Sequence, residues 1–142
     1  MKYIKSASNS ALLPKLLGSY EEVIQDWVKD IITSKKYKEI LDIGSAEGHY
    51  ACGFAFSLPE SSIIAYDIDP KARKNIKARV ELNDIKNIEI KEECTFDELN
   101  LKSRKDTLIF CDIEGAESFL LDPEKVPNLK YADLLIESHD CF

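Results

Sequence analysis

Apolar positions along the chain follow two rhythms. Ile24, Trp27, Val28 and Ile31 recur three or four residues apart, and Ser19 with Glu22 forms an S-x-x-E capping pattern ahead of them. This spacing predicts an amphipathic helix over residues 20–33 whose stripe packs against a core. The next runs are short and continuously apolar: KEILDI (38–43), SSIIAYD (61–67), DTLIFCDI (106–113) and ADLLIES (132–138). They read as strands covered on both faces. NIEIKEE (87–93) alternates apolar with polar, as an edge or near-edge strand does. Helical patterns lie between them. One starts near Ala51 and stops at Pro59. A second opens at Pro70, with Ala72, Ile76 and Val80 on one face. Short turns are predicted after Thr95, from the T-x-x-E pattern ending at Glu98, and over Gly115–Leu121.

Strands that alternate with helices predict a parallel sheet between two helical layers: an α/β, Rossmann-like three-layer sandwich. Its 142 residues make one domain, with room for a core and no need of disulfide or metal staples. Residues 1–37 form an N-terminal helical segment expected to pack on the domain of residues 38–142. No apolar run approaches the roughly 18 residues of a membrane span. The opening MKYIKSASNS lacks the apolar stretch of a secretion signal. Cys52, Cys94, Cys111 and Cys141 are far apart, with no CxxC pair, and read as reduced thiols of a cytoplasmic protein. The net charge of −7 weighs against a phosphate-backbone binder. The basic run KARKNIKAR (71–79) reads as a solvated helix face with its charges outside.

Acids cluster at the strands' carboxyl ends, where sheets of this kind bind ligands. The strongest signal is LDIGSAEGHY (41–50). Gly44 permits a tight turn after the strand. Gly48 opens the following helix without a side chain, where a ligand can approach the backbone. Ser45 to Glu47 contribute mainly backbone, and the loop's N–H groups offer donors. Asp42 would repel the phosphates of a nicotinamide cofactor and suits a cation instead. S-adenosylmethionine carries an ammonium and a sulfonium and no phosphate. Asp67 ends the second strand 23 residues after Gly44, near the offset of an acid that accepts ribose hydroxyls.

With these residues in view, LDIGSAEGHY followed by IIAYDIDP resembles the cofactor half of class I S-adenosylmethionine-dependent methyltransferases, over residues 38–138. The resemblance gives Asp42, Gly44, Ser45 and Gly48 to the methionine end, Asp67 and Ile68 to the adenosine, and strand order 3-2-1-4-5 to the sheet. CDIEGAESFLL (111–121) and LLIESHD (134–140) look like the FkbM type, whose fourth strand ends D-x-E-G-x-E and whose fifth ends in an acid plus His. The matching residues are Asp112, Glu114, Gly115 and Glu117, then Glu137 and His139. That type mostly methylates hydroxyls, so a small-molecule or glycan acceptor is expected. Asp112, which also borders the cofactor, and His139 are the candidate catalytic groups. The adenine edge reads Glu93, Cys94, Thr95, with Cys94 opposite the usual acid. No fixed ligand spacing supports a metal site. Glu117 reads as a first-turn helix acid, while His49 and Tyr50 read as packing residues.

The resemblance implies a sixth and a seventh strand beyond the fifth, and the sequence runs four residues past the fifth, so a fragment of that plan is expected. A homodimer through an exposed sheet edge is one expected arrangement. The competing readings are a truncated cofactor-binding or interaction protein without catalysis, an RNA methyltransferase, and a nicotinamide oxidoreductase.

Overall fold

The structure, a computed structural model, describes residues 1–3 and 22–138. A 3-10 turn (Glu22–Ile24) leads into α1 (Gln25–Ser34). Then follow β1 (Glu39–Ile43), α2 (His49–Ser57), β2 (Ser62–Tyr66), α3 (Pro70–Leu82), β3 (Ile88–Lys91), α4 (Phe96–Lys102), β4 (Thr107–Cys111), α5 (Glu117–Leu120), a 3-10 turn (Pro127–Tyr131) and β5 (Asp133–Ile136). The five strands are all parallel and lie in the order β3-β2-β1-β4-β5, as expected. β3 is an edge strand, in keeping with its alternating pattern.

Each central strand sends alternate side chains to opposite faces. Ile40, Ile63, Ala65, Leu108 and Phe110 join Ile31, Phe54 and Ile76 beneath α1, α2 and α3. Leu41, Ile43, Ile64, Ile109 and Cys111 join Leu99, Val126 and Leu129 beneath α4 and the second 3-10 turn. Both faces are therefore covered, which is why these strands read as unbroken apolar runs.

Local chemistry sets the helix starts. Asp69 caps α3 by accepting the Lys71 N–H at 2.8 Å, with Pro70 in the first turn. Thr95 caps α4 by accepting the Glu98 N–H at 3.2 Å. At α1 the structure differs from the pattern. The helix begins at Gln25 after an uncapped Ile24, and Ser19 lies outside the described residues. Trp27 leaves the stripe and is 63% exposed, whereas Ile31 is buried and Ile24 and Val28 pack on the core. The basic run also departs from its expected form, because Arg79 is fully buried. Among the described residues no helix is long and apolar enough to cross a membrane.

Candidate functional site

The site lies at the carboxyl ends of β2, β1 and β4. β1 ends at Ile43, and the chain turns sharply at Gly44, where φ is +87°. A β-carbon there would stand 1.7 Å from the Asp112 carbonyl oxygen. Only glycine fits, for its angle and for this close approach of the β4 end. The Asp112 N–H in turn donates to the Ile43 carbonyl at 2.9 Å, which holds the two segments together.

The loop's amides turn inward, contrary to the expectation that they face a ligand. The Gly44 and Ser45 N–H groups donate to the Tyr66 carbonyl at 2.9 and 3.0 Å, and Gly48 N–H donates to the Ser45 carbonyl at 2.7 Å. Ala46 N–H donates to Asp67 Oδ2 at 2.7 Å, with Ala46 itself at φ +47°. The Ser45 hydroxyl donates to the Asp42 carbonyl at 2.7 Å. The Ala46 bond holds the Asp67 carboxylate, and the others fix the backbone of the loop. Gly48 (φ +77°) serves packing: a β-carbon would come within 3.0 Å of Cys52 Sγ and 3.1 Å of Ile76 Cγ1, in the seam between α2 and α3.

Asp42 is 2% exposed, and its Oδ2 has no hydrogen-bond partner among the described residues. Burial pushes its carboxyl up to about 7, and the nearby Asp112 and Asp67 carboxylates add to the rise. The Ala51 backbone N–H and the Ser45 side chain oppose it. Asp67 is partly buried. Its Oδ1 accepts the Asp69 N–H at 2.8 Å while Oδ2 holds Ala46. A carboxylate has about four acceptor positions, so capacity for further donors is left on each oxygen. Arg73 Nη1 donates to the Asp67 and Ile68 carbonyls at 2.7 and 3.0 Å and fixes this corner. The Ile68 side chain is 76% exposed beside it.

Along the neighbouring rim, Glu93 is exposed. Cys94 is buried, with its thiol pushed up to about 12, so its side chain belongs to the core. The Thr95 hydroxyl is taken by the α4 cap. Cys52 and Cys111 are likewise free, buried thiols, each pushed up to about 12 by burial.

Beyond β4, the D-x-E-G-x-E segment folds on itself. Glu114 (φ +57°) and Gly115 (φ +102°) form the turn, and the buried Glu117 accepts the Ile113 and Gly115 N–H groups at 3.0 and 3.2 Å through Oε1. Glu117 thus organises the loop that follows Asp112. Tyr50 packs on Phe110 with ring centroids 4.6 Å apart. His139, Asp140 and Cys141 lie outside the described residues, and among the described residues no cluster of metal-binding side chains occurs. A surface groove of about 700 Å³, lined by residues including Asn100, Leu101, Arg104 and Tyr131, lies at the C-terminal end of α4, away from this site.

No family model matches the chain, and no curated protein matches its sequence. Solved structures do match its fold. A protein of Staphylococcus aureus assigned as a caffeoyl-CoA O-methyltransferase superposes with a TM-score of 0.65 at 18% identity, over 91% of this chain and 66% of that one. The S-adenosylhomocysteine-bound methyltransferase PaMTH1 of Podospora anserina gives 0.62 at 16% identity, over 78% and 50%. The O-methyltransferase TomG of Streptomyces achromogenes, in complex with SAM, gives 0.59 at 17% identity, over 94% and 58%. The chain therefore has the Rossmann-like fold of class I methyltransferases. It spans about half to two-thirds of the length of these proteins.

Proposed function

We propose that this protein binds S-adenosylmethionine and transfers its methyl group to a hydroxyl of a small molecule or glycan. The observation that carries this reading is the gathering of Asp42, Asp67 and Asp112 around the Gly44 turn. Asp42 Oδ2, buried and without a donor, fits an ammonium group that supplies one. Asp67, fixed by two backbone N–H groups, fits the paired hydroxyls of a ribose. Ile68 offers apolar surface to the adenine, and Glu93 with the backbone around Cys94 and Thr95 edges it. Gly44, Ser45 and Gly48 shape the loop that holds the methionine end.

When bound, S-adenosylmethionine supplies a methyl group already activated by its sulfonium. The protein's work is then to orient the acceptor, exclude water and receive a proton. Asp112, which follows β4 beside the Gly44 turn, is the candidate to accept the acceptor's proton or to hold its hydroxyl, and His139 is the second candidate. The D-x-E-G-x-E segment supports an FkbM-type relationship, because Glu117 and Gly115 account physically for two of its fixed positions. Fold neighbours described as O-methyltransferases support the hydroxyl acceptor. The basic run supports RNA less than its composition implies, since Arg79 is buried and Arg73 is engaged at the Asp67 corner. A cytoplasmic location accords with free thiols at Cys52, Cys94 and Cys111. A homodimer across the β5 edge, where Leu134 and Ile136 are exposed, is the proposed assembly.

Isothermal titration tests the reading. Wild-type protein is expected to bind S-adenosylhomocysteine saturably, and Asp67→Ala to weaken binding by roughly tenfold or more, the loss of hydrogen bonds to a charged acceptor. Absence of binding to correctly folded wild-type protein would sink the reading.

A further inference from the structure

Arg79 poses a physical problem. It lies on α3, is fully buried, and among the described residues none of its guanidinium nitrogens has a hydrogen-bond acceptor. A buried cation without partners costs several kcal/mol, so something must offset it. Part of the offset is the ring of Tyr3, whose centroid stands 4.3 Å from the guanidinium carbon. Residues 1–3 are held there by a second pair of contacts. Lys2 N–H donates to Asn83 Oδ1 at 2.5 Å, and Asn83 Nδ2 donates back to the Lys2 carbonyl at 2.9 Å. Asn83 itself closes the C-terminal end of α3, where its amide also bonds the Arg79 carbonyl at 2.9 Å.

The Tyr3 hydroxyl reaches the other way and hydrogen-bonds with Nδ1 of His49. The two rings lie 5.9 Å apart. His49 is the first residue of α2 and follows Gly48 directly. Burial raises the Tyr3 hydroxyl above its ordinary value, with Arg79 opposing the rise and the fully buried Glu47 adding to it. Glu47, Gly48 and His49 are consecutive and form the second half of the glycine loop. Tyr3 therefore links that corner of the loop to α3.

We propose that Tyr3 is a positioning residue for ligand binding: seated between Arg79 and His49, it fixes the Glu47–His49 corner in the conformation that receives the ligand. This rests on the proposed S-adenosylmethionine site. The first half of the loop is pinned by Tyr66 and Asp67, and Tyr3 pins the second half. A loop already ordered does not charge its ordering cost to the ligand.

Two substitutions separate the contacts. Tyr3→Phe keeps the ring over Arg79 and loses the bond to His49, while Tyr3→Leu loses both. In titrations with S-adenosylhomocysteine, Tyr3→Phe is expected to raise Kd about fivefold, the worth of one hydrogen bond, and to lower the ligand-free Tm by only a few degrees. Tyr3→Leu is expected to raise Kd further and to lower Tm. Hydrogen exchange on the ligand-free proteins is expected to show faster exchange of amides 45–52 in both variants, with the sheet amides unaffected. Wild-type Kd in both variants overturns the proposal, as does unchanged exchange at 45–52. Failure of wild-type protein to bind overturns the proposed function instead, and the exchange measurement then decides on Tyr3 by itself.

Discussion

Asp42 is a carboxyl group kept short of donors. Its folded value of about 7 stands well above the ordinary 3.8, so the folded protein binds a proton there that the unfolded chain releases earlier. The contribution to stability is fully present below about pH 4 and is lost as pH rises through about 7. Asp42→Asn removes the buried charge. At pH 8 the ligand-free variant is expected to melt roughly 3 °C or more above wild type by calorimetry, with a flatter dependence on pH. The same variant is expected to lose S-adenosylhomocysteine binding, so stability and function separate at this residue. The two loop glycines separate as well. Gly44→Ala drives a β-carbon into main chain that cannot yield without breaking the β1–β4 connection, and is expected to cost about 3 kcal/mol or more in urea unfolding. Gly48→Ala meets only side chains and is expected to cost about 1–2 kcal/mol, the penalty of the left-handed conformation.

Elements join through few but specific ties. The turn after α1 reaches edge strand β5: Lys36 Nζ and the Tyr37 hydroxyl both donate to Asp133 Oδ2, at 2.5 and 2.6 Å. These donors hold the Asp133 carboxyl below its ordinary value. Its stabilising effect is therefore present above about pH 4 and is lost as pH falls through the folded value. Tyr37→Phe is expected to cost about 1 kcal/mol in urea unfolding at pH 7, and less in acid as Asp133 protonates. Such a tie is not legible in a sequence, since it joins positions 96 apart with no motif between them. The central strands were legible, because burial on both faces leaves an unbroken apolar run; β5 shows the same run yet lies at an edge, with Leu134 and Ile136 exposed rather than covered. The start of α1 was not: three-residue spacing marks a face without saying which position along it meets the core, and Trp27 faces solvent.

Across the whole molecule, legibility follows the same division. The parallel direction of the strands could be read because each strand–helix alternation implies a crossover, while their order was implied by the family resemblance alone. The positions of Asp42, Asp67 and Asp112 could be read because each lies within one residue of a strand's carboxyl end. Their relations could not. Nothing in LDIGSAEGHY says that its amides turn inward to Tyr66 and Asp67, or that Gly48 serves the α2–α3 seam. The burial of Arg79 is hidden among its basic neighbours because the ring that covers it comes from residue 3, far along the chain. The resemblance sets Cys94 opposite an acid of the adenine edge, yet its thiol sits in the core.

The contact of Gly44 with the Asp112 carbonyl carries one more consequence. Two segments nearly seventy residues apart, each recognisable alone, share a single atomic fit. For anyone grafting this loop onto another sheet, they make one cassette. A donor loop brought without its own fourth-strand end inherits a different carbonyl height and has no side chain with which to absorb the error. Chimeras cut between β1 and β4 should therefore keep both ends from the same parent.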